Sequence, residues 1–140
     1  MASLLQELAA GLDACYTDLQ DAFHRITVVT MSEFGRRVKE NASQGADHGH
    51  GNVMFLMGGG VNGGKVFGDW PGLKEENLDR GDPAVTTDYR TILSEIVEKR
   101  LLNPHLDEVF PNFPQASFLG VVQGRTSTIG YRHFLPRMDY

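Results

Sequence analysis

Two short apolar runs separated by a polar loop place the strongest constraint on what this chain can fold into. Residues 26–31 and 53–57 are rich in β-branched and other large apolar side chains, and a run of glycines follows the second. Such near-continuous apolar runs are typical of strands that are covered on both faces, as in a parallel sheet. Residues 3–25 and 87–101 repeat apolar side chains at helical spacing. We therefore expect an α/β fold in which a small sheet of mostly parallel strands is packed with helices.

The composition is that of one ordinary domain without a basic surface. The chain has 140 residues, of which 41% are hydrophobic and 22% charged, and its net charge is −5. A negative chain lacks the field that nonspecific binding to nucleic acid or to anionic membranes requires, so we expect neither partner. No apolar run approaches the roughly 18 residues of a membrane span, and the first residues lack the basic start of a signal peptide. The single cysteine, Cys15, excludes an internal disulfide and makes a cysteine-based zinc site unexpected.

Four residues around the polar loop have side chains that divalent metal ions use as ligands. Glu33 follows the first apolar run, and Asp47, His48 and His50 precede the second. Imidazole together with carboxylate suits zinc, manganese or iron(II), and in an extended backbone the two histidines would point to the same side. A local ion pair between Glu33 and the nearby arginines, and a solvated glycine-rich loop with incidental histidines, are the alternatives. The sequence therefore offers these four residues as a candidate site for a divalent ion such as zinc or manganese.

The glycines after the second apolar run resemble a phosphate-binding loop only in part. Gly59 and Gly64 with Lys65 have the spacing of such a loop, but Val66 stands where a magnesium-binding Ser or Thr is needed. The residues that follow have turn and strand character, whereas the phosphate cradle needs the N-terminus of a helix. A glycine turn after a strand is the interpretation that we adopt.

Five short motifs occur in an order that resembles one known family. They are VTMSEFGR (residues 29–36), DHGHGN (47–52), MGGGV (57–61), GDWPGL (68–73) and TTDYR (86–90). Their order resembles the C-terminal part of the bacterial family known as domain of unknown function 1501, which is similar to sulfatases in the alkaline phosphatase superfamily. The resemblance covers residues 3–122, and it implies an alkaline-phosphatase-like sheet, of which this chain holds a part.

The resemblance implies a metal-dependent hydrolase that acts on small sulfate or phosphate esters. Members of the superfamily have Asp-His-Gly after the first of these strands, where this chain has Glu33 and Phe34. Glu33 would keep the carboxylate ligand, Phe34 cannot replace the histidine, and His48 or His50 would be the later metal histidine. The nucleophile of such enzymes lies in the N-terminal half of the sheet, so we identify no catalytic residue and expect the isolated chain to be nearly inactive. A noncatalytic metal-binding or interaction domain is the alternative.

The same resemblance suggests how the chain is divided and how it associates. We expect residues 3–122 to be the C-terminal portion of a sulfatase-like domain and residues 123–140 to be an irregular tail. Proteins of the parent family are often exported from bacteria, although this chain has no signal peptide of its own. Without upstream strands beside residues 26–31, an open sheet edge and an apolar patch would remain, and both favour self-association.

Overall fold

The computed structural model describes residues 2–114 and 117–125, which contain three α-helices and six short strands. The helices are α1 (Ala2–Asp18), α2 (Tyr89–Leu101) and α3 (Leu106–Val109), and single turns of 3₁₀-helix lie at Phe23–Arg25 and Glu75–Asn77. The strands are β1 (Thr27–Val29), β2 (Gly35–Glu40), β3 (Ala46–Gly49), β4 (Leu56–Gly58), β5 (Leu78–Asp79) and β6 (Asp82–Pro83). No helix in this part of the chain is long and apolar enough to cross a membrane. Of the predicted irregular tail, residues 126–140 lie outside the described residues.

The strands form three separate two-stranded sheets, and each sheet is antiparallel. β1 pairs with β4, β2 with β3, and β5 with β6. The predicted alkaline-phosphatase-like sheet of mostly parallel strands is therefore wrong for the described residues. Neighbouring parallel strands need a crossover connection, usually a helix. The connection between β1 and β4 instead contains the β2–β3 hairpin and no helix, so the chain returns in the opposite direction.

The β1–β4 pair is shorter than the two apolar runs because a side chain interrupts its ladder. Val29 lies opposite Leu56 in the antiparallel register. One residue further, the Thr30 N–H still donates to the Phe55 carbonyl at 3.0 Å, but the Phe55 N–H donates to the Thr30 hydroxyl oxygen at 2.9 Å and not to a backbone carbonyl. A threonine side chain that bonds to the backbone competes with strand pairing in this way. The strands therefore separate beyond Thr30, and the polar loop begins there.

Helix α2 provides the centre of the small hydrophobic core. Ile92 and Ile96 are buried against Val121 and Val122, and partly buried apolar side chains from the β1–β4 sheet and the glycine turn complete the cluster. The helix begins after Asp88, whose side chain accepts the Arg90 N–H, and ends where Leu102 adopts a left-handed φ of 58°. These boundaries lie within two residues of the predicted helix over residues 87–101. Amphipathic spacing thus predicts this element correctly.

A buried carboxylate joins α2 to residues 118–122. Glu95 is fully buried and accepts hydrogen bonds from the backbone N–H groups of Gly120 at 2.9 Å and Val122 at 3.3 Å. Lys99 donates a third hydrogen bond to it at 2.7 Å. The only sheet-like contact of this segment with other described residues is an isolated bridge between Val122 and Val61. Glu95 therefore replaces part of the ladder that a neighbouring strand would have provided.

Helix α1 has the predicted apolar stripe but leaves much of it in contact with solvent. The helix ends at Asp18, where we had predicted a helix over residues 3–25, and a turn leads into the 3₁₀ turn before β1. Leu5 and Leu8 are 56% and 40% exposed, and with Leu12 and Phe55 they line an open apolar groove. The self-association of the chain stays a prediction. This groove is an exposed apolar surface through which two chains could associate.

Candidate functional site

The polar loop between the two apolar runs is largely a β-hairpin, β2–β3. Its turn is organised by Asn41, whose side-chain oxygen accepts the N–H groups of Ser43 and Gly45 at 3.0 Å each. The Asn41 N–H in turn donates to the Gly45 carbonyl at 2.8 Å. Asparagine stabilises turns by this kind of local bonding. This hairpin was not predicted because both of its strands are polar; the spacing of Asn41 and Gly45 is the feature of the sequence that indicates it.

Two of the predicted metal ligands interact mainly with the hairpin itself. Asp47 accepts a hydrogen bond from the Asn41 side chain at 2.8 Å. His48 lies opposite Arg36 in the β2–β3 register, and its ring stacks on that of Phe34 with 4.4 Å between centroids. Both side chains are exposed on the hairpin, so a ligand could reach either of them. Their contacts, with Asn41 and with Phe34, do not bring the two side chains together.

His50 occupies a different environment, between two carboxylates from the β5–β6 hairpin. Its Nδ1 lies 2.7 Å from Asp82 Oδ2, and its Nε2 lies 3.1 Å from Asp79 Oδ2. Both distances are within hydrogen-bonding range. The two carboxylates differ in exposure, since the side chain of Asp82 is 12% exposed and that of Asp79 is 51% exposed. One edge of the imidazole therefore faces the protein interior and the other faces solvent.

A two-residue turn places the two aspartates on either side of the imidazole. Asp79 and Asp82 lie opposite each other in the β5–β6 register. Arg80 and Gly81 between them have φ values of 54° and 94°. Positive φ at both central residues is the mark of the type I′ turn, which is favoured in tight hairpins. Glycine at the second turn position is the feature of the sequence that indicates this hairpin.

The buried Asp82 carboxylate is held against the β2–β3 hairpin by a close backbone approach. A Cβ atom at Gly49 would lie 2.8 Å from Asp82 Oδ1, so only glycine leaves room for the carboxylate there. The same oxygen lies 3.5 Å from Arg37 Nε and has no hydrogen-bond partner among the described residues. Arg37 also donates a hydrogen bond to the Arg80 carbonyl at 2.6 Å, which ties the two hairpins together.

A family model described as "Protein of unknown function (DUF1501)" matches residues 1–108. The chain belongs to this family. The predicted membership of domain of unknown function 1501 is thereby confirmed, whereas the predicted link to sulfatases and the alkaline phosphatase superfamily stays a prediction. The match includes both hairpins of the DUF1501 candidate site. The comparison with curated proteins found no match, and neither did the comparison with solved structures.

The DUF1501 candidate site fits a metal ion in part. Glu33 lies in an exposed bend between β1 and β2. Over residues 2–114 and 117–125, no three or more His, Cys, Asp or Glu side chains gather as a group that could hold a metal ion. The prediction that Glu33, Asp47, His48 and His50 bind one ion together therefore stays a prediction. The imidazole of His50 and the carboxylate of Asp79 are ligand types that zinc or manganese accepts, so the two residues could supply at most two of the ligands of such an ion.

Proposed function

We propose that this chain forms part of the divalent-metal site of a sulfatase-like hydrolase that cleaves sulfate or phosphate esters. The observation that supports it is the placement of His50, whose two ring nitrogens face two carboxylates. A histidine that binds a metal through one nitrogen usually contacts a carboxylate or carbonyl through the other. Family membership and the motif order agree with this proposal, in which zinc or manganese is the ion.

Each predicted residue has a role in this proposal. His50 is the protein ligand, while Glu33, Asp47 and His48 are further candidates on the exposed side of the hairpins. A bound divalent ion polarises an ester oxygen or lowers the pKa of a bound water. The residues of this chain would hold the ion and orient the imidazole, and the nucleophile would come from elsewhere in the hydrolase.

Replacing His50 should weaken metal binding by the chain. We expect His50→Ala to lower the affinity for Zn²⁺ or Mn²⁺ at least tenfold, because a ligand atom is lost and water alone remains in its place. Isothermal titration calorimetry on the unmodified chain and on the variant measures this difference. Affinity of the unmodified chain should itself be modest, because few protein ligands are preorganised.

His105 offers a matched control for this titration. Its side chain is 67% exposed, and its closest acidic contact is Glu108 at 3.8 Å. His105→Ala removes one imidazole from the chain without touching either hairpin, so we expect the affinity to stay unchanged. Equal affinity in the His50→Ala and His105→Ala variants would show that histidine content, and not the site, explains the binding.

The isolated chain should have little or no hydrolase activity. We expect turnover of aryl sulfates and phosphate esters with Zn²⁺ or Mn²⁺ to stay near background, because no activated nucleophile is identified among these residues and a cooperative site without one loses most of its rate. A chromogenic assay over long incubation measures it. Metal-dependent turnover that disappears in Glu33→Ala would contradict the prediction and show that this chain contains the complete catalytic machinery.

A noncatalytic metal-binding or interaction domain is the second candidate, and the exposed apolar groove of α1 favours it. Apolar patches on a surface are frequent at protein–protein contacts. A longer family member that contains this segment distinguishes the two functions. Ester hydrolysis that is lost when the residue equivalent to His50 is replaced supports the hydrolase, whereas no hydrolysis supports the interaction domain.

A further inference from the structure

We propose that the guanidinium group of Arg100 is the centre of a binding site for a small dianionic oxyanion such as sulfate or hydrogen phosphate. Arg100 lies in the last turn of α2, and its side chain packs against the glycine turn that follows β4. Neither segment belongs to the two hairpins around His50. The inference is therefore independent of the proposed metal site and goes beyond the proposed function.

The Arg100 side chain is buried without a partner for its charge. The residue is only 8% exposed, and no carboxylate in residues 2–114 or 117–125 forms an ion pair with it. Its Nε is enclosed and unpartnered, whereas Nη1 and Nη2 are not enclosed in this way and can be reached from solvent. A guanidinium group has five N–H donors and stays charged in proteins. Burying such a group unpaired is costly, so an anionic acceptor is expected beside it.

The glycine turn leaves room for this side chain and fixes its surroundings. A Cβ atom at Gly60 would overlap Arg100 Nη1, so only glycine lets the guanidinium lie beside the backbone there. The Gly60 carbonyl accepts the Gln123 N–H at 2.7 Å, and the Asn62 N–H donates to the Val121 carbonyl at 2.9 Å. These bonds hold the turn against the segment that packs on α2. The guanidinium is therefore positioned before a ligand arrives, which lowers the entropic cost of binding.

Two further cations at the end of α2 leave an excess of positive charge around Arg100. Arg125 donates through its backbone N–H to the Lys99 carbonyl at 3.0 Å, and through Nη1 to the Arg100 carbonyl at 3.5 Å. In the described part of the chain, Glu95 pairs with Lys99, and Glu98 in the same turn pairs with none of the three cations. Two positive charges therefore remain unpaired. A dianion balances both of them, so sulfate or hydrogen phosphate fits better than a monocarboxylate.

The end of the helix by itself explains two of these cations but not Arg100. Carbonyl groups at the C-terminus of a helix favour basic side chains. Arg125 makes such a contact, and Lys99 is bonded to Glu95. The Arg100 guanidinium instead lies against Gly60, where it forms no hydrogen bond to the described residues. Its planar fork of donors matches phosphate and similar oxyanions, which it binds through two oxygens at once.

Titration of the metal-free chain with sulfate tests the site. ¹H–¹⁵N NMR spectra at constant ionic strength, with chloride as the exchanged ion, follow the Arg100 Nε–H and the amides of Gly60 and Gln123. We expect these signals to shift and to saturate with sulfate and with phosphate. Acetate should bind at least about tenfold more weakly, because its single charge gains less from the two unpaired cations.

Two substitutions of Arg100 and one control identify the group that binds the ion. Arg100→Gln should weaken sulfate binding more than about tenfold, because the charge and the paired donors are lost. Arg100→Lys keeps the charge and the apolar stem without the fork, so it should recover only part of the affinity. Arg90 lies in the same helix and already donates to both oxygens of Asp88. Arg90→Gln should therefore bind sulfate as the unmodified chain does, and far-UV circular dichroism checks that each variant is folded.

Four results would overturn the assignment. They are the absence of sulfate and phosphate binding, unchanged binding in a folded Arg100 variant, an equal loss in Arg100→Gln and Arg90→Gln, and acetate that binds as tightly as sulfate. An equal loss in the two arginine variants would mean that net charge alone attracts the ion. Because no metal is present, each result is separate from the Zn²⁺ and Mn²⁺ titrations of His50, so either proposal can fail while the other stands.

Discussion

Glu95→Ala is expected to lower the free energy of unfolding by about 3 kcal/mol. Removing one partner of a buried, hydrogen-bonded ion pair typically costs about this much. The substitution leaves the N–H groups of Gly120 and Val122 without their acceptor, and the Lys99 ammonium loses its carboxylate. Small domains are stable by only about 5–15 kcal/mol, so the loss is large. Urea unfolding followed by circular dichroism measures it.

Glu98 is the matched control for this prediction. It lies one turn further along α2 and is half-buried, and its side chain forms no hydrogen bond or ion pair with residues 2–114 or 117–125. Glu98→Ala should change the free energy of unfolding by less than about 0.5 kcal/mol, as is usual for surface changes away from such contacts. Similar effects of both substitutions would mean that Glu95 does not hold residues 118–122 against the helix.

The same carboxylate should make stability depend on pH in the acidic range. Burial raises the pKa of the Glu95 carboxyl, but hydrogen bonds from Lys99 and from the backbone N–H groups of Val122 and Gly120 outweigh it, so the folded-state pKa lies below the ordinary value. A carboxyl with a lowered pKa contributes stability above its unfolded-state pKa, and the contribution is lost as pH falls through the folded-state value. The unmodified chain should therefore lose more stability than Glu95→Gln when pH is lowered from 7 to 3.

Gly59→Ala is the second substitution with a large expected effect, a loss of more than about 3 kcal/mol through overpacking against the main chain. A Cβ atom at this position would overlap the carbonyl group of His24. The Gly59 N–H also donates to the carbonyls of Phe23 and Ile26 at 3.0 Å each, which holds the turn after β4 against the 3₁₀ turn before β1. Because the overlapping atoms belong to the His24 backbone, no change of a side-chain rotamer can relieve the clash. Urea unfolding and the thermal midpoint measure the loss.

Gly63 provides the control in the same glycine-rich stretch. A Cβ atom there meets no other atom within 4 Å, and its φ is not in the left-handed region. Gly63→Ala should be neutral or stabilise the chain by up to about 1 kcal/mol, because alanine restricts the unfolded chain more than glycine does. A Gly59→Ala variant as stable as Gly63→Ala would show that the turn is loose and that the two segments are not closely packed.

Helix α2 shows which features of this protein can be predicted from local sequence patterns. Its apolar spacing, the capping Asp88 and the stop at Pro104 are all contained within the helix and the few residues beside it. The structure places its ends within two residues of the prediction. Glu95 in the same helix illustrates the limit, because its burial depends on residues 118–122, which approach it only in the folded chain.

The strands were recognised where apolar residues were continuous, but their pairing was predicted wrongly. A continuous apolar run indicates that a strand is buried, but either a parallel or an antiparallel neighbouring strand can bury it. The direction was decided by the connection between β1 and β4, where the Asn41 turn produced a polar hairpin in place of a crossover helix. The polar strands of that hairpin had no apolar alternation by which to be recognised.

For the candidate site, the sequence by itself indicated the family and the four candidate ligands, but not the two hairpins near them. It did not indicate Asp79 or Asp82, which are about thirty residues beyond His50 and reach it only because two hairpins pack together. Capping, turn chemistry and helical spacing act over a few residues, so they can be inferred from sequence. The direction of strand pairing, the burial of Glu95 and the partners of His50 depend on which distant segments meet, and the tertiary structure alone decided these.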